Sequence, residues 1–143
     1  MRIENNLELL KEIKTAGIIL RPSSPELKET YNKIKTLFEE ESIEILLEEN
    51  SAKMIGLEGY SLDELCQKVD FLISVGGDGT LLSVVRKSFK FDKPVLGINL
   101  GTLGFLTDIS MDQLPNFIKD LKQNIYKIDN RMMVEGSVNL NKF

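Results

Sequence analysis

Four short apolar runs punctuate the sequence: AGIIL at Ala16–Leu20, IEILL at Ile43–Leu47, FLISV at Phe71–Val75 and PVLGI at Pro94–Ile98. Each is a near-continuous series of Val, Ile and Leu rather than an alternation of apolar and polar residues. That is the pattern of strands buried on both faces, as in a parallel sheet. Between the first two runs, Leu27, Tyr31, Ile34, Leu37 and Phe38 fall on one helical stripe, with Ser24 placed as an N-cap and Pro25 at the first helical position. Before the third run, Ser61 and Glu64 have capping-box spacing, and after it Leu81, Val84, Val85, Ser88 and Phe89 repeat as a helix packed back on the sheet. Alternating strands and helices predict right-handed βαβ crossovers, and hence an α/β fold with an open, mostly parallel sheet and flanking helices.

Beyond the fourth run the pattern changes. NLGTLGFLTDIS (Asn99–Ser110) has no clean period; Ser110 and Gln113 then have the spacing of a second capping box, opening a helix with Leu114, Phe117, Ile118 and Leu121 facing inward. The end of the chain, from Tyr126, reads as strand, turn and a new strand. The expected organisation is an α/β domain over residues 1–125 and the beginning of a truncated β-rich C-terminal domain over residues 126–143.

Composition removes several function classes. The net charge of −4 carries no basic face of the kind that nucleic-acid binders show. The apolar runs are far shorter than the roughly 20 residues of a membrane span, and MRIENNLELLKEIK lacks a signal-peptide hydrophobic region. A cytoplasmic protein with no membrane partner is expected. The single cysteine, Cys66, fits a reducing compartment and reads as a buried, inert thiol. With 0 histidines, acid–base chemistry falls to Asp, Glu, Lys, Tyr or a metal-bound water.

Among the carboxylates, Asp78 stands out because it sits in a glycine cluster, FLISVGGDGTLLSVV (Phe71–Val85). A strand ending in glycines and leading into a helix is a ready anion site: backbone N–H groups are exposed, the helix N-terminus is partly positive, and missing side chains admit a phosphate. Gly76, Gly77, Gly79 and Thr80 occupy that place, beyond the carboxyl end of a strand, where open α/β sheets bind ligands. The dinucleotide fingerprint does not fit, because the third glycine position is Leu82, and no Gly-Lys-Ser/Thr of a P-loop follows. For Asp78 the residues leave two readings open. It begins the helix, where the dipole favours it, or it accepts a hydroxyl proton or holds a metal ion in phosphoryl transfer.

GGDGT (Gly76–Thr80), followed about 20 residues later by GINLGTLGFLTD (Gly97–Asp108), resembles the ATP-dependent NAD kinases. GGDGT alone is shared with diacylglycerol and sphingosine kinases and, more loosely, phosphofructokinases; the second segment is characteristic of NAD kinases. The resemblance implies transfer of the γ-phosphate of ATP to the 2′-hydroxyl of the adenosine ribose of NAD, giving NADP. It maps the proton acceptor to Asp78. Gly76, Gly77, Asp78, Gly79 and Thr80 then lie against NAD and the nucleotide phosphates, Phe105 lies near the NAD adenine, and Asn99 is a further candidate contact. Mg²⁺ or another divalent cation arrives on ATP, with no metal site on the protein, and the full-length form is expected to be a homo-oligomer. The family's second signature, Asn-Glu or Asn-Asp in a β-rich domain, is missing; Asn139–Asn141 reads NLN. An N-terminal fragment, inactive alone, is therefore expected. The alternatives are a lipid or sugar kinase of the same superfamily and a non-catalytic nucleotide-binding module.

Overall fold

The computed structural model describes residues 13–101, 109–123, 129–132 and 139–142. Among the described residues seven strands join in one sheet: β1 (Thr15–Leu20), β2 (Glu44–Leu47), β3 (Phe71–Gly76), β4 (Val95–Asn99), β5 (Ile109–Ser110), β6 (Asp129–Met132) and β7 (Asn139–Lys142). The helices are α1 (Lys28–Glu39), α2 (Glu49–Met54), α3 (Leu62–Lys68), α4 (Asp78–Ser88) and α5 (Leu114–Lys122). The order β2-β1-β3-β4 is parallel throughout. The far side of β4 is shared. β5 runs parallel to it at the carboxyl end, through Ile98 and Ile109, while β7 meets it at Val95 and pairs antiparallel with β6.

The absence of alternation in the apolar runs follows from burial on both sides. In β3, Phe71, Ile73 and Val75 join Ala16, Ile18 and Leu20 of β1 and Leu96 and Ile98 of β4 on one face. There they meet Ile34 and Phe38 of α1 and Leu114, Ile118 and Leu121 of α5. Leu72 and Val95 point the other way, into a second cluster with Leu65 and Cys66 of α3 and Leu81, Val84 and Val85 of α4. Phe71 and Phe38 are both fully buried, with ring centroids 6.1 Å apart at a tilt of 55°, and each such burial contributes roughly 1.5–3 kcal/mol. Gly17 lets α3 sit close: a Cβ there would lie 2.7 Å from Leu65 Cγ.

Chain direction across the sheet creates a crevice. The crossover after β1 leads outward to β2, whereas the crossover after β3 leads the opposite way to β4, and β1 and β3 are neighbours. At such a switch point the two loops part beyond the carboxyl ends of the strands and leave room for a ligand.

Phe89 departs from expectation: it is 46% exposed. The α-helix ends at Ser88 and a 3₁₀ turn, Phe89–Phe91, takes over, so the 3.6-residue period stops one residue short of it. Phe91 instead packs against the second cluster.

Cys66 is fully buried, and burial pushes its thiol up to about 11, more than the opposing pull of Lys93 and Lys90 brings it down. An unfolded thiol ionises near 8.5. Between that pH and about 11 the unfolded chain loses a proton that the folded chain keeps, so stability should fall as pH rises through this window. Urea unfolding from pH 8 to 10.5 measures this, and Cys66→Ala should flatten the decline over that window; an unchanged slope would contradict it. In the native protein the thiol should resist disulfide-exchange reagents that label it at once in denaturant.

Candidate active site

The loop from β3 to α4 is as short as a strand-to-helix turn can be. Gly76 ends the strand, Gly77 is the helix N-cap and Asp78 is the first helical residue. This places the helix N-terminus directly beyond the strand end, and it succeeds because of Gly76. A Cβ at that position would lie 2.6 Å from Thr80 Oγ1 and 3.1 Å from Arg21 Cβ. Gly77 and Gly79 differ: a Cβ at either would meet nothing within 4 Å. Gly77 also has ordinary extended backbone, with φ −136° and ψ −160°. Neither packing nor conformation within the described chain requires glycine at these two positions. What their missing side chains provide is space over the first turn of α4, where Gly79 and Thr80 carry N–H groups that helix geometry leaves without an intrahelical acceptor.

Asp78 is half-buried at the first helical position, where the dipole favours a carboxylate by about 0.3–1 kcal/mol. It is not the N-cap, a place held by Gly77. Asn99 lies alongside, because its register partner across β3 and β4 is Gly76. It is buried, and its Oδ1 accepts a hydrogen bond from the Gly101 N–H at 2.8 Å, which fixes the start of the following loop. The Leu100 N–H donates to the Gly76 carbonyl at 3.0 Å, tying the two strand ends together. Gly76, Gly77, Asp78, Gly79, Thr80 and Asn99 thus come together at the carboxyl ends of β3 and β4. Phe105 lies outside the described residues. Arg86 is exposed, two turns along α4.

A cavity of about 660 Å³ opens on the other flank of α4, between that helix, the end of β1 and α2. Thr80, Ser83 and Lys87 line it from α4, while Leu20, Met54 and Leu62 supply apolar wall. Helix α2 was not legible in the sequence, and it is held by a hydrogen-bond relay. The Leu20 N–H donates to Ser51 Oγ at 2.8 Å, and the Ser51 hydroxyl donates to Glu48 Oε1 at 3.0 Å. The Glu48 carboxylate also accepts from the Asn50 and Ser51 N–H groups at 2.8 and 3.0 Å, capping the helix. On the β1 side the wall turns at Ser23, whose φ of 56° lies in the left-handed region, strain of order 1–3 kcal/mol. Arg21 Nε donates to Ser24 Oγ at 2.8 Å and Ser24 Oγ donates to the Pro22 carbonyl at 3.1 Å, bracing that turn.

Comparison with known proteins adds to this geometry. A family model described as the ATP-NAD kinase N-terminal domain matches residues 16–127. The chain belongs to the ATP-NAD kinase family. It is 55% identical over 128 residues to the NAD kinase of Sulfurimonas denitrificans, covering 90% of this chain and 45% of that protein. It is 48% identical over 132 residues to the NAD kinase of Wolinella succinogenes, covering 92% and 46%. The chain therefore spans a little under half the length of these curated relatives. The crystal structure of yeast NADH kinase complexed with NADH shares the fold, with a TM-score of 0.68 at 19% identity, over 90% of this chain and 46% of that one.

The glycine loop makes a sharp pair of predictions. Gly76→Ala should cost about 1–3 kcal/mol through the collision with Thr80. Gly79→Ala, which meets open space in a helix, should be neutral or stabilising by up to about 1 kcal/mol. Urea denaturation of the two variants checks this, and equal losses would refute the division of roles.

Proposed function

We propose that this chain is the phosphate-binding part of an enzyme that transfers the γ-phosphate of ATP to the 2′-hydroxyl of the adenosine ribose of NAD, giving NADP and ADP. The observation that carries the reading is the Asp78 carboxylate, set at a helix N-terminus between two glycines whose side-chain space is empty. A site built only to hold an anion gains nothing from a carboxylate beside the phosphate. A site that must take a proton from a hydroxyl needs one, and a chain with 0 histidines has few other groups for the task.

The step balances as follows. The ribose 2′-oxygen forms a bond to the γ-phosphorus, the bond from that phosphorus to the β,γ-bridging oxygen breaks, ADP leaves, and the hydroxyl proton passes to Asp78. The amides of Gly79 and Thr80 and the positive end of α4 hold the transferring group and offset its charge. Positioning and charge stabilisation dominate such reactions, so a rigid loop on a buried strand suits them. A divalent cation such as Mg²⁺, bound with ATP, neutralises the phosphate oxygens. Among the described residues no group of three or more His, Cys, Asp or Glu could hold a metal ion.

NAD is favoured over a lipid or sugar acceptor by the second glycine segment and by the two relatives described as NAD kinases. Phe105 and Asn99 are proposed to line the acceptor's side of the loop. The hairpin of β6 and β7 is proposed as the start of a second domain that completes the NAD pocket and the homo-oligomer interface. A cytoplasmic setting is supported by the buried free thiol, and among the described residues no helix is long and apolar enough to cross a membrane.

In the whole protein, Asp78→Asn should lower the rate of NADP formation at least about 100-fold while leaving the melting temperature within a few degrees. Near wild-type turnover by this variant would remove the base assignment. Phosphorylation of a diacylglycerol or a sugar phosphate by the wild-type protein, with none of NAD, would remove the acceptor assignment.

A further inference from the structure

We infer that the amino end of the sheet, the face opposite the glycine loop, joins two copies of this chain about a two-fold axis. The crossovers bring charge of opposite sign to two corners of that face. Helices α1 and α4 run back against the parallel strands, so each ends at the amino end of the strand that follows it, β2 and β4 respectively. Where α1 gives way to β2, residues Glu39–Glu44 hold four glutamates and no base. Where α4 gives way to β4, residues Arg86–Lys93 hold four bases and one acid, in a chain whose net charge is −4. In the order β2-β1-β3-β4 these strands are three interstrand steps apart, about 14 Å. Helix α1 covers one side of the sheet and α4 the other, so the acidic and basic poles stand at diagonal corners.

Both poles are accessible. Glu39 is held by Lys35 at 2.7 Å, but Glu40, Glu41 and Glu44 are exposed and no ion pair within the described chain engages them. The same is true of Lys90, which is exposed, and Lys93, which is half-buried. Phe89, 46% exposed beside Lys90, gives the basic pole an apolar contact surface. Between the poles the Asp70 carboxylate is taken up by the chain itself, accepting from the Lys14 and Thr15 N–H groups at 2.7 and 3.0 Å. Charge complementarity selects the occupant. A uniformly anionic surface would be drawn to one pole and repelled by the other, which lies within about two Debye lengths of it at physiological salt. A face carrying both signs is matched by itself. A two-fold axis lying in the face, perpendicular to the line joining the poles, lays acid on base twice and closes the assembly at two copies. The glycine loop, at the far end of the 6-residue strand β3 and about 20 Å away, stays open.

Exposed ion pairs are individually weak, so the association is salt-sensitive. Sedimentation equilibrium of this chain should show a reversible monomer–dimer equilibrium whose dissociation constant rises at least tenfold between about 20 mM and about 500 mM sodium chloride. Lys90→Glu with Lys93→Glu should weaken the dimer at least tenfold, and so should Glu40→Lys with Glu41→Lys. Should the half-buried Lys93 disturb folding when replaced, Lys90→Glu alone keeps the test, with a loss of at least threefold. Mixed in equal amounts, the two double variants should recover a one-to-one dimer within about threefold of the wild-type constant. Each reversed pole then faces a reversed partner, and each native pole a native one. A chain that stays monomeric at low salt, a dimer indifferent to both reversals, variants that fail to recover on mixing, or assembly that grows beyond two copies would overturn the proposal. Binding to phosphatidylserine vesicles without self-association would overturn it as well, and would assign the basic pole to an anionic surface.

Discussion

The contact between Gly76 and Thr80 is the constraint on which the rest of the site depends. With 2.6 Å between a would-be Cβ and Thr80 Oγ1, the strand can turn into the helix within two residues only if position 76 has no side chain. A longer turn would lift the N-terminus of α4 away from the sheet. The first-turn amides would then no longer stand over the carboxyl end of β3, and Asp78 would no longer lie beside Asn99. A strand buried along its whole length, β3, supplies the rigid base that such a tight turn needs, since loops carry function best when a scaffold positions them.

Sheet topology then settles what surrounds the loop. Crossovers that part between β1 and β3 leave the crevice at their carboxyl ends, and the relay from Leu20 through Ser51 to Glu48 pins α2 as its outer wall. The polar groups in that wall are consumed by structure: Glu48 and Ser51 are both buried and hydrogen-bonded. The glycines are not. A Cβ at Gly77 or Gly79 would meet open space, so within five residues one glycine is required by packing and two are not.

Much of this was legible in the sequence because parallel strands leave a strong signal. The four apolar runs match β1 to β4 to within a residue, since burial on both faces demands unbroken Val, Ile and Leu. The capping box at Ser110 formed in full, opening a 3₁₀ turn ahead of α5. At Ser61 the hydroxyl accepts from the Glu64 N–H and donates to the Glu64 carboxylate, so the Ser61 side chain caps α3 without the reciprocal backbone bond. Helix α2 was missed because six residues are too few to show a period. Its signals are local: Glu48 as a capping carboxylate, and Gly56 at φ 77°, where the Leu57 N–H to Ala52 and Gly56 N–H to Lys53 bonds close the helix in a Schellman motif. The cavity could not be read at all, because Leu20, Met54, Leu62 and Lys87 are distant in sequence and meet only through topology. The glycine loop was legible as a tight turn from strand to helix, but not which glycine packs and which leaves open space, since that depends on Thr80 and Arg21 folding against position 76.

The central claim is that the first turn of α4 is a phosphate cradle. Backbone amide NMR of the ¹⁵N-labelled chain, titrated with β,γ-imido-ATP, tests it residue by residue. The account predicts that the amides of Gly77, Gly79 and Thr80 shift earliest and saturate together, while those of the distant edge strand β2 stay in place. Shifts confined to exposed lysines, rising without saturation and leaving Gly77–Thr80 unmoved, would contradict it.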